Sequence, residues 1–441
     1  MLQDLQNHIH KNLHYLIGKK LLLAVSGGID SMVLVDLFSK LDFEIGIAHC
    51  NFQLRGEESN QDEFFVKSKI CHTERSRGAK HKIFIRKFET QKYAEENKLS
   101  IQQAARELRY NWFHELLEKE GFDYLITAHH LDDSLETFLI NFTRGTGIEG
   151  LTGIPEVNNK IVRPLLIFSR SAIENYAKDN SIEWREDSSN ASDKYFRNKI
   201  RHHVVPVLKE LNNSLLDSFQ NTIKNLSETN SLAKDALVFQ FERIASQKNE
   251  EIHFDTEKLK QLPNCGTYLY EWLKPYGFFD WTAINDLMDN QSGKQVFSEN
   301  YRLLKDRNRL ILSKITNENP EIILINEEDN FIDKPIKLLF CNQSHISEPS
   351  KSSIFVDKEK LKFPLVLRKW KEGDYFYPSG MNGRKKVSKY FKDEKFSLID
   401  KEKTWLLCSE NEVVWIVNHR ADKRYIATNN TIKILNITQK K

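Results

Sequence analysis

Ser26-Gly27-Gly28-Ile29-Asp30-Ser31 follows the apolar run Leu21-Leu22-Leu23-Ala24-Val25 directly and leads straight into Met32-Val33-Leu34-Val35-Asp36-Leu37-Phe38. A strand, a glycine turn and a helix start are compressed into a few residues, which suits the phosphates of a nucleotide. The two glycines let the backbone approach an anion closely and turn its N–H groups inward. The helix that follows adds the positive end of its dipole. Ser26 and Ser31 offer hydroxyl donors, and Asp30 is a candidate ligand for a magnesium ion that screens the phosphates. The spaced Gly-Lys-Ser/Thr ending of a Walker loop is absent. The plainer alternative is a tight turn with a capped helix, because Ser and Asp are good N-cap residues.

A second cluster, Thr127-Ala128-His129-His130-Leu131-Asp132-Asp133-Ser134-Leu135-Glu136-Thr137, also reads as a strand end opening a helix. Asp132 and Glu136 are four apart and Asp133 and Glu136 three apart, so the acids share one helical turn. They repel one another unless a cation or donors compensate, and a magnesium ion or a substrate ammonium would do so. Acid enrichment at a helix N-terminus explains Asp132 and Asp133 but not the two histidines before them. Hard oxygen ligands favour magnesium over zinc.

Other pieces are less specific alone. His49-Cys50-Asn51-Phe52-Gln53-Leu54-Arg55 stands where a second strand should end, where its polar groups could bind a base or ribose or merely open a Glu-rich helix. Arg106 and Arg109 lie three apart on one helical face, suited to clamping phosphates or to pairing with neighbouring acids. Arg144-Gly145-Thr146-Gly147-Ile148-Glu149-Gly150-Leu151-Thr152-Gly153-Ile154 is a glycine-rich loop of the kind that covers a nucleotide site. Trp184-Arg185-Glu186-Asp187-Ser188-Ser189-Asn190 and Arg197-Asn198-Lys199-Ile200-Arg201-His202-His203 gather bases and amides around a helix start, for substrate or as a capped, charged helix.

The elements that would position these groups alternate along the first part of the chain. Strands are expected at Lys20–Val25, Glu44–His49, Lys82–Ile85 and Tyr124–Thr127. Helices are expected at Ser31–Ser39, around Gln61–Glu74, at Ile101–Glu120 and at Leu131–Phe142. Such alternation predicts an α/β, doubly wound parallel sheet, with ligands at the carboxyl ends of its strands. From about Asn212 to Leu310 strand cues are weak and a mainly helical region is expected, with helices around Leu215–Phe241 and Thr267–Asp289. After Phe363 short β-type runs close the chain as a small α+β module.

A length of 441 residues implies two or three domains, and 40% hydrophobic with 29% charged residues describes a folded, soluble chain. No apolar run approaches membrane-spanning length, so no membrane partner is expected. Five scattered cysteines without a Cys-x-x-Cys pair fit a reducing, cytoplasmic setting. From Lys351 onward 21 lysines and arginines stand against 11 acids, whereas the first 350 residues carry 44 against 51. The basic end, interleaved with Trp370, Tyr375, Phe376, Tyr377, Tyr390 and Phe391, points to a surface that meets a polyanion.

Together these stretches, with Arg163-Pro164-Leu165-Leu166, Gly373-Asp374-Tyr375-Phe376-Tyr377-Pro378-Ser379-Gly380-Met381 and Gly383-Arg384-Lys385-Lys386-Val387-Ser388, resemble the tRNA(Ile)-lysidine synthetases of the PP-loop ATP pyrophosphatase superfamily. The resemblance implies a PP-loop catalytic domain over 1–211, a mainly helical tRNA-contacting domain over 212–345 and a basic tRNA-binding α+β domain over 346–441. It implies that ATP adenylates the wobble cytidine of a CAU-anticodon tRNA(Ile) and that L-lysine then displaces AMP. Ser26, Gly27, Gly28, Ile29, Asp30 and Ser31 would hold ATP, with Mg2+ on Asp30. Asp30, Asp133 and Arg106 would serve the chemistry, while Asp132, Asp133, Glu136, Arg144, Lys385 and Lys386 would bind lysine or tRNA. A homodimer is left open. The rivals are a tRNA thiolase, which needs cooperating cysteines, a glutamine-dependent synthetase, which needs an amidotransferase domain, and a noncatalytic tRNA-binding module.

Overall fold

The computed structural model describes residues 1–77, 82–186, 195–315, 322–347, 350–381 and 383–440, with 70–77 described by backbone alone. The chain divides into two compact units, Met1–Lys234 and Asp235–Lys441.

In the first unit α1 (Leu2–Asn12) precedes β1 (Lys20–Ala24), α2 (Ile29–Lys40), β2 (Glu44–Asn51), α3 (Glu57–Arg77), β3 (Lys82–Lys87), α4 (Thr90–Glu96) and α5 (Ile101–Lys119). There follow β4 (Tyr124–Ile126), α6 (Leu131–Arg144), α7 (Ile148–Leu151), β5 (Val157–Asn158), β6 (Ile161–Val162), α8 (Arg170–Asp179), α9 (Phe196–Lys199), α10 (Val205–Leu211) and α11 (Leu215–Ile244), whose residues from Asp235 belong to the second unit. The sheet runs β3-β2-β1-β4-β6-β5, parallel except for the β5–β6 pair. Alternate side chains of a strand face opposite sides, and β1 shows the consequence. Leu21 and Leu23 enter a core with Val33, Leu37 and Ile173, whereas Leu22 enters another with Trp112, Phe113 and Leu116. Both faces are covered, which is why β1 reads as an unbroken apolar run. The doubly wound expectation is met, and the ends of β1, β2 and β4 bring their following loops to one edge.

The second unit begins with β7 (Ala245–Lys248), β8 (Glu251–Asp255), α12 (Thr256–Lys260), α13 (Cys265–Leu273), α14 (Trp281–Leu287), β9 (Gln295–Phe297), β10 (Tyr301–Asp306) and β11 (Arg309–Lys314). The helix expected around 215–241 is present, and that expected at Thr267–Asp289 is broken into α13 and α14 by a turn at Gly277, φ +76°. The strands form an antiparallel sheet, β7-β8-β11-β10-β9, that the weak cues did not reveal. Phe254, Leu269, Trp272, Leu273, Leu303 and Leu310 fill the core between sheet and helices.

Next come β12 (Ile323–Ile325), β13 (Phe331–Ile332), β14 (Leu338–Gln343), β15 (Ser353–Asp357), β16 (Leu365–Lys369), β17 (Tyr375–Phe376) and β18 (Lys385–Lys386). The chain closes with α15 (Val387–Asp393), α16 (Leu398–Lys403), β19 (Trp405–Ser409), β20 (Glu412–Ile416) and β21 (Ile434–Gln439). Two four-stranded antiparallel sheets, β12-β16-β19-β20 and β13-β14-β21-β15, share one core around Leu338, Val356, Leu367, Leu407, Trp415 and Ile437. β12–β14 thus hydrogen-bond into the last module, although a division at 345 assigns them to the middle. No helix among the described residues is long and apolar enough to cross a membrane.

Candidate active site

The loop between β1 and α2 is held by its own hydroxyls. Gly27 adopts φ +95°, a conformation that favours glycine. Its N–H donates to Ser31 Oγ at 3.1 Å, Ser31 Oγ donates to the Gly28 carbonyl at 2.8 Å, and the Gly28 N–H reaches Ser26 Oγ at 3.3 Å. The two serine oxygens occupy the donors that an anion would otherwise use. Ile29 is buried in the core at 3% exposure, so its side chain takes no part in binding and only its backbone is available.

Asp30, at the first turn of α2, accepts two bonds from Arg170 Nη1, at 2.8 and 2.6 Å, and lies 3.8 Å from His130 Nε2. Burial pushes its carboxyl above the usual range, against the lowering pull of His130 and Arg170 and with help from the charge of Asp133. Arg170 stands at the start of α8, and its backbone N–H donates to Asp132 Oδ2 at 2.8 Å. One residue therefore ties the phosphate loop to the acidic turn of α6.

The acids of that turn are compensated by the chain's own cations. Glu136, only 2% exposed, accepts from Arg197 Nε at 2.7 Å and from Arg201 Nε and Nη2 at 2.6 and 3.0 Å. Lys209 Nζ donates to Asp132 Oδ1 at 2.6 Å. Asp133 has longer contacts: Oδ1 lies 3.2 Å from both Arg197 Nη2 and Arg201 Nη2, and Oδ2 accepts the His130 N–H at 3.1 Å. Burial pushes the Asp133 carboxyl up, but the neighbouring His130 and Arg197 charges outweigh it and hold the group below the usual range. His129 is lowered to about 4, first by burial, and is neutral at physiological pH. Donors thus supply the compensation the sequence pattern required, where magnesium or a substrate ammonium was expected. No group of three or more His, Cys, Asp or Glu is arranged to hold a metal among the described residues.

The remaining candidates divide. Arg106 and Arg109 have exposed side chains lying over Tyr110 and Phe52, at 4.9 and 5.1 Å, with no carboxylate within ion-pair reach among the described residues. Pairing with neighbouring acids therefore does not account for them. Arg144 is likewise exposed, its guanidinium 5.9 Å from the Phe196 ring. His49 is turned inward, Nδ1 against the Val25 carbonyl at 2.9 Å, and Asn51 pairs with Glu63 at 2.8 Å, so both brace the sheet edge. Asp187–Asn190 lie outside the described residues.

The glycine loop after α6 is anchored in its second half: Asn141 Nδ2 donates to the Gly150 carbonyl at 2.8 Å and the Ile154 N–H to Ser134 Oγ at 3.0 Å. Gly153 has φ +73°, and a Cβ there would stand 2.3 Å from Ser134 Oγ. Gly153→Ala is expected to cost about 1–3 kcal/mol in urea-induced unfolding.

Three family models match in series: a PP-loop domain over residues 1–208, a TilS substrate binding domain over 247–315 and a TilS substrate C-terminal domain over 365–437. The tRNA(Ile)-lysidine synthase of Parabacteroides distasonis is 39% identical, over 99% of each chain. The chain belongs to the tRNA(Ile)-lysidine synthase family. The synthase of Bacteroides thetaiotaomicron is 37% identical, over 98% of each chain. Among solved structures, a U34-tRNA thiolase from Methanococcus maripaludis matches at 17% identity and TM-score 0.42, covering 52% of this chain and 80% of that one.

Lys385 of this family member's basic end departs from the sequence reading. Lys385 is only partly exposed and pairs with Asp393 at 2.8 Å, so it is not a free cation. Arg384, over the Tyr375 ring at 5.2 Å, and Lys386 at the start of α15 are exposed and carry no ion pair among the described residues. Asp374 of the Gly-Asp motif is spent on structure, joined to buried Arg368 by two bonds of 2.8 Å.

Proposed function

We propose that this chain ligates L-lysine to C2 of the wobble cytidine of the CAU-anticodon tRNA(Ile), changing the codon read from AUG to AUA. The observation that carries this reading is the junction of a phosphate loop with an acid–arginine turn through Asp30, Arg170 and Asp132. Near full-length identity to named synthases supports it. The cytidine O2 attacks the α-phosphorus of ATP and pyrophosphate leaves; the lysine ε-amine then attacks C2, and AMP departs with that oxygen. The Ser26–Ser31 loop offers its N–H groups to the phosphates once the serine hydroxyls yield them. Asp30 would hold Mg2+ together with the substrate phosphates once Arg170 Nη1 yields its carboxylate, and the ion would screen their charge. Arg106 and Arg144, with no ion pair to a carboxylate among the described residues, are placed in this reading on phosphate or tRNA.

Asp133 is the acid best suited to the lysine ammonium, since its contacts are long while those of Glu136 and Asp132 are short. The chain beyond residue 211 is assigned to tRNA, with β12–β14 counted to the last module, and the setting is the cytoplasm. A homodimer is the assembly to look for, by light scattering. Sulfur transfer is disfavoured by burial of Cys50, which pushes its thiol up to about 12; the Cys71 side chain lies outside the described residues. The deciding assay is pyrophosphate release with CAU tRNA(Ile), with and without lysine, followed by nucleoside analysis. Lysidine formed only when both are present supports the reading, and ATP turnover without a modified nucleoside defeats it.

The basic end is expected to supply affinity and not chemistry. Replacing Arg384 and Lys386 together by Ala should raise the tRNA KM and reduce the salt slope by about two, one for each lost phosphate contact. kcat at saturating tRNA should be little changed.

A further inference from the structure

Residues 183–185, after α8, are held against the Ser26–Ser31 loop and fastened to α3. The Arg185 N–H donates to the Gly27 carbonyl at 3.0 Å. The Arg185 side chain is latched by Nε to Asp62 Oδ1 at 2.6 Å and by Nη2 to Gln61 at 3.1 Å. Asp62 is largely buried, and its other oxygen accepts Arg55 Nη2 at 2.8 Å, so one carboxylate grips the loop after β2 and the strap together. Lys69 pairs with Glu183 at 2.5 Å on the same strap.

We infer that Asp62 is a positioning residue for ATP: through Arg185 it aims the Gly28 N–H at the phosphates. The Gly27 carbonyl and the Gly28 N–H are the two ends of one planar peptide and point in opposite directions. Fixing the carbonyl against the Arg185 amide therefore fixes the heading of the N–H. Gly27, at φ +95°, has no side chain to hold that plane, and once the Gly28 N–H leaves Ser26 Oγ, 3.3 Å away, for a phosphate, two successive glycines would otherwise sample many orientations. The latch removes that freedom before ATP arrives, which is preorganisation of an anion site. Asp62 and Arg185 touch no reacting atom in this account, and neither the phosphate-loop pattern nor the acidic turn announces them.

This inference rests on the Ser26–Ser31 loop holding ATP. The test is a double-mutant cycle in the full-length protein on Asp62→Ala and Arg185→Ala, reading ATP affinity by calorimetry, tRNA affinity by filter binding, and melting temperature. Each single change is expected to weaken ATP binding about tenfold, in keeping with loss of a charge-assisted hydrogen bond. The double change should weaken it no further, with tRNA affinity unchanged. Asp62→Glu, which keeps the charge, should recover most of the loss. Additive effects, or unchanged ATP affinity in Arg185→Ala, would overturn the latch. If Asp62→Ala fails to fold, Arg185→Ala still decides, because it leaves the Asp62–Arg55 pair intact. An unmutated protein that binds no ATP in the same cell would instead overturn the proposed function.

Discussion

Asp30→Asn is expected to lose lysidine formation by at least about 10²–10³-fold while melting at a higher temperature than the parent protein. The first effect follows from its place beside the Ser26–Ser31 loop, where Asp30 would hold the proposed magnesium and the ion would screen the phosphate charge. The second follows from the direction of its pKa. Burial raises the Asp30 carboxyl in the folded state, despite Arg170 and His130. The folded state therefore binds this proton more tightly than the unfolded chain does, and ionising Asp30 at neutral pH costs stability. Asparagine removes that cost while keeping the shape. Arg170 is not stranded by the change, since its Nε remains on Glu174 at 2.8 Å. The thermal gain should be present at pH 7 and vanish as the pH falls through the ordinary carboxylate range, where Asp30 is protonated in both states. AMP formation and melting curves across pH read both halves. Near-normal turnover would remove Asp30 from the phosphate chemistry, and a lower melting temperature at pH 7 would show Asp30 acting as a structural ion pair.

How much of this site could be read beforehand depended on the range of each interaction. The Ser26–Ser31 loop and the acidic turn are local patterns, and each was visible with its strand and helix. The parallel sheet, though not its strand order, was legible because strands and helices alternate and strands buried on both faces leave continuous apolar runs. The partners of the acids were not visible in the same way. Arg170 meets Asp30, and Arg197 and Arg201 meet Glu136, across 140, 61 and 65 residues. Arg197 and Arg201 carried a signal, four apart and so on one helical face, but nothing local said which acid they would meet. Arg170 and Lys209 carried none; Arg185 stood in a stretch marked for its bases and amides, but nothing local named Asp62, 123 residues away, as its partner. Ile29 sits inside a binding motif, yet its side chain belongs to the core. The antiparallel sheet of 245–314 was hidden for another reason. Ala245–Lys248 is a polar edge strand, and three helices interrupt the strands that would have shown a period of two.

The same geometry separates two neighbouring acids that a sequence treats as one cluster. Glu136→Gln should lower stability and weaken both substrates alike, because Glu136 is nearly inaccessible and anchors two guanidiniums. Breaking a buried pair costs about 3–5 kcal/mol. Arg197 and Arg201 are each more than a third exposed, or close to it, and can turn to water, so the lower end applies. Asp133→Asn should behave differently. Its amide oxygen can still accept the His130 N–H and keep the cap of α6, while the charge that would face an ammonium is gone. A charge-assisted hydrogen bond contributes about 1.5–3 kcal/mol, so the lysine KM should rise about 10–100-fold with the ATP KM nearly constant. The depressed Asp133 carboxyl also adds some stability at neutral pH, lost as the pH falls through and below the usual carboxylate range, so a small drop in melting temperature accompanies the change. Steady-state kinetics with lysine and ATP varied in turn, beside melting curves, distinguish the two acids. If Asp133→Asn moved both substrates equally, or Glu136→Gln moved lysine alone, the ammonium would have to be reassigned to Glu136, with Arg197 and Arg201 displaced when lysine binds.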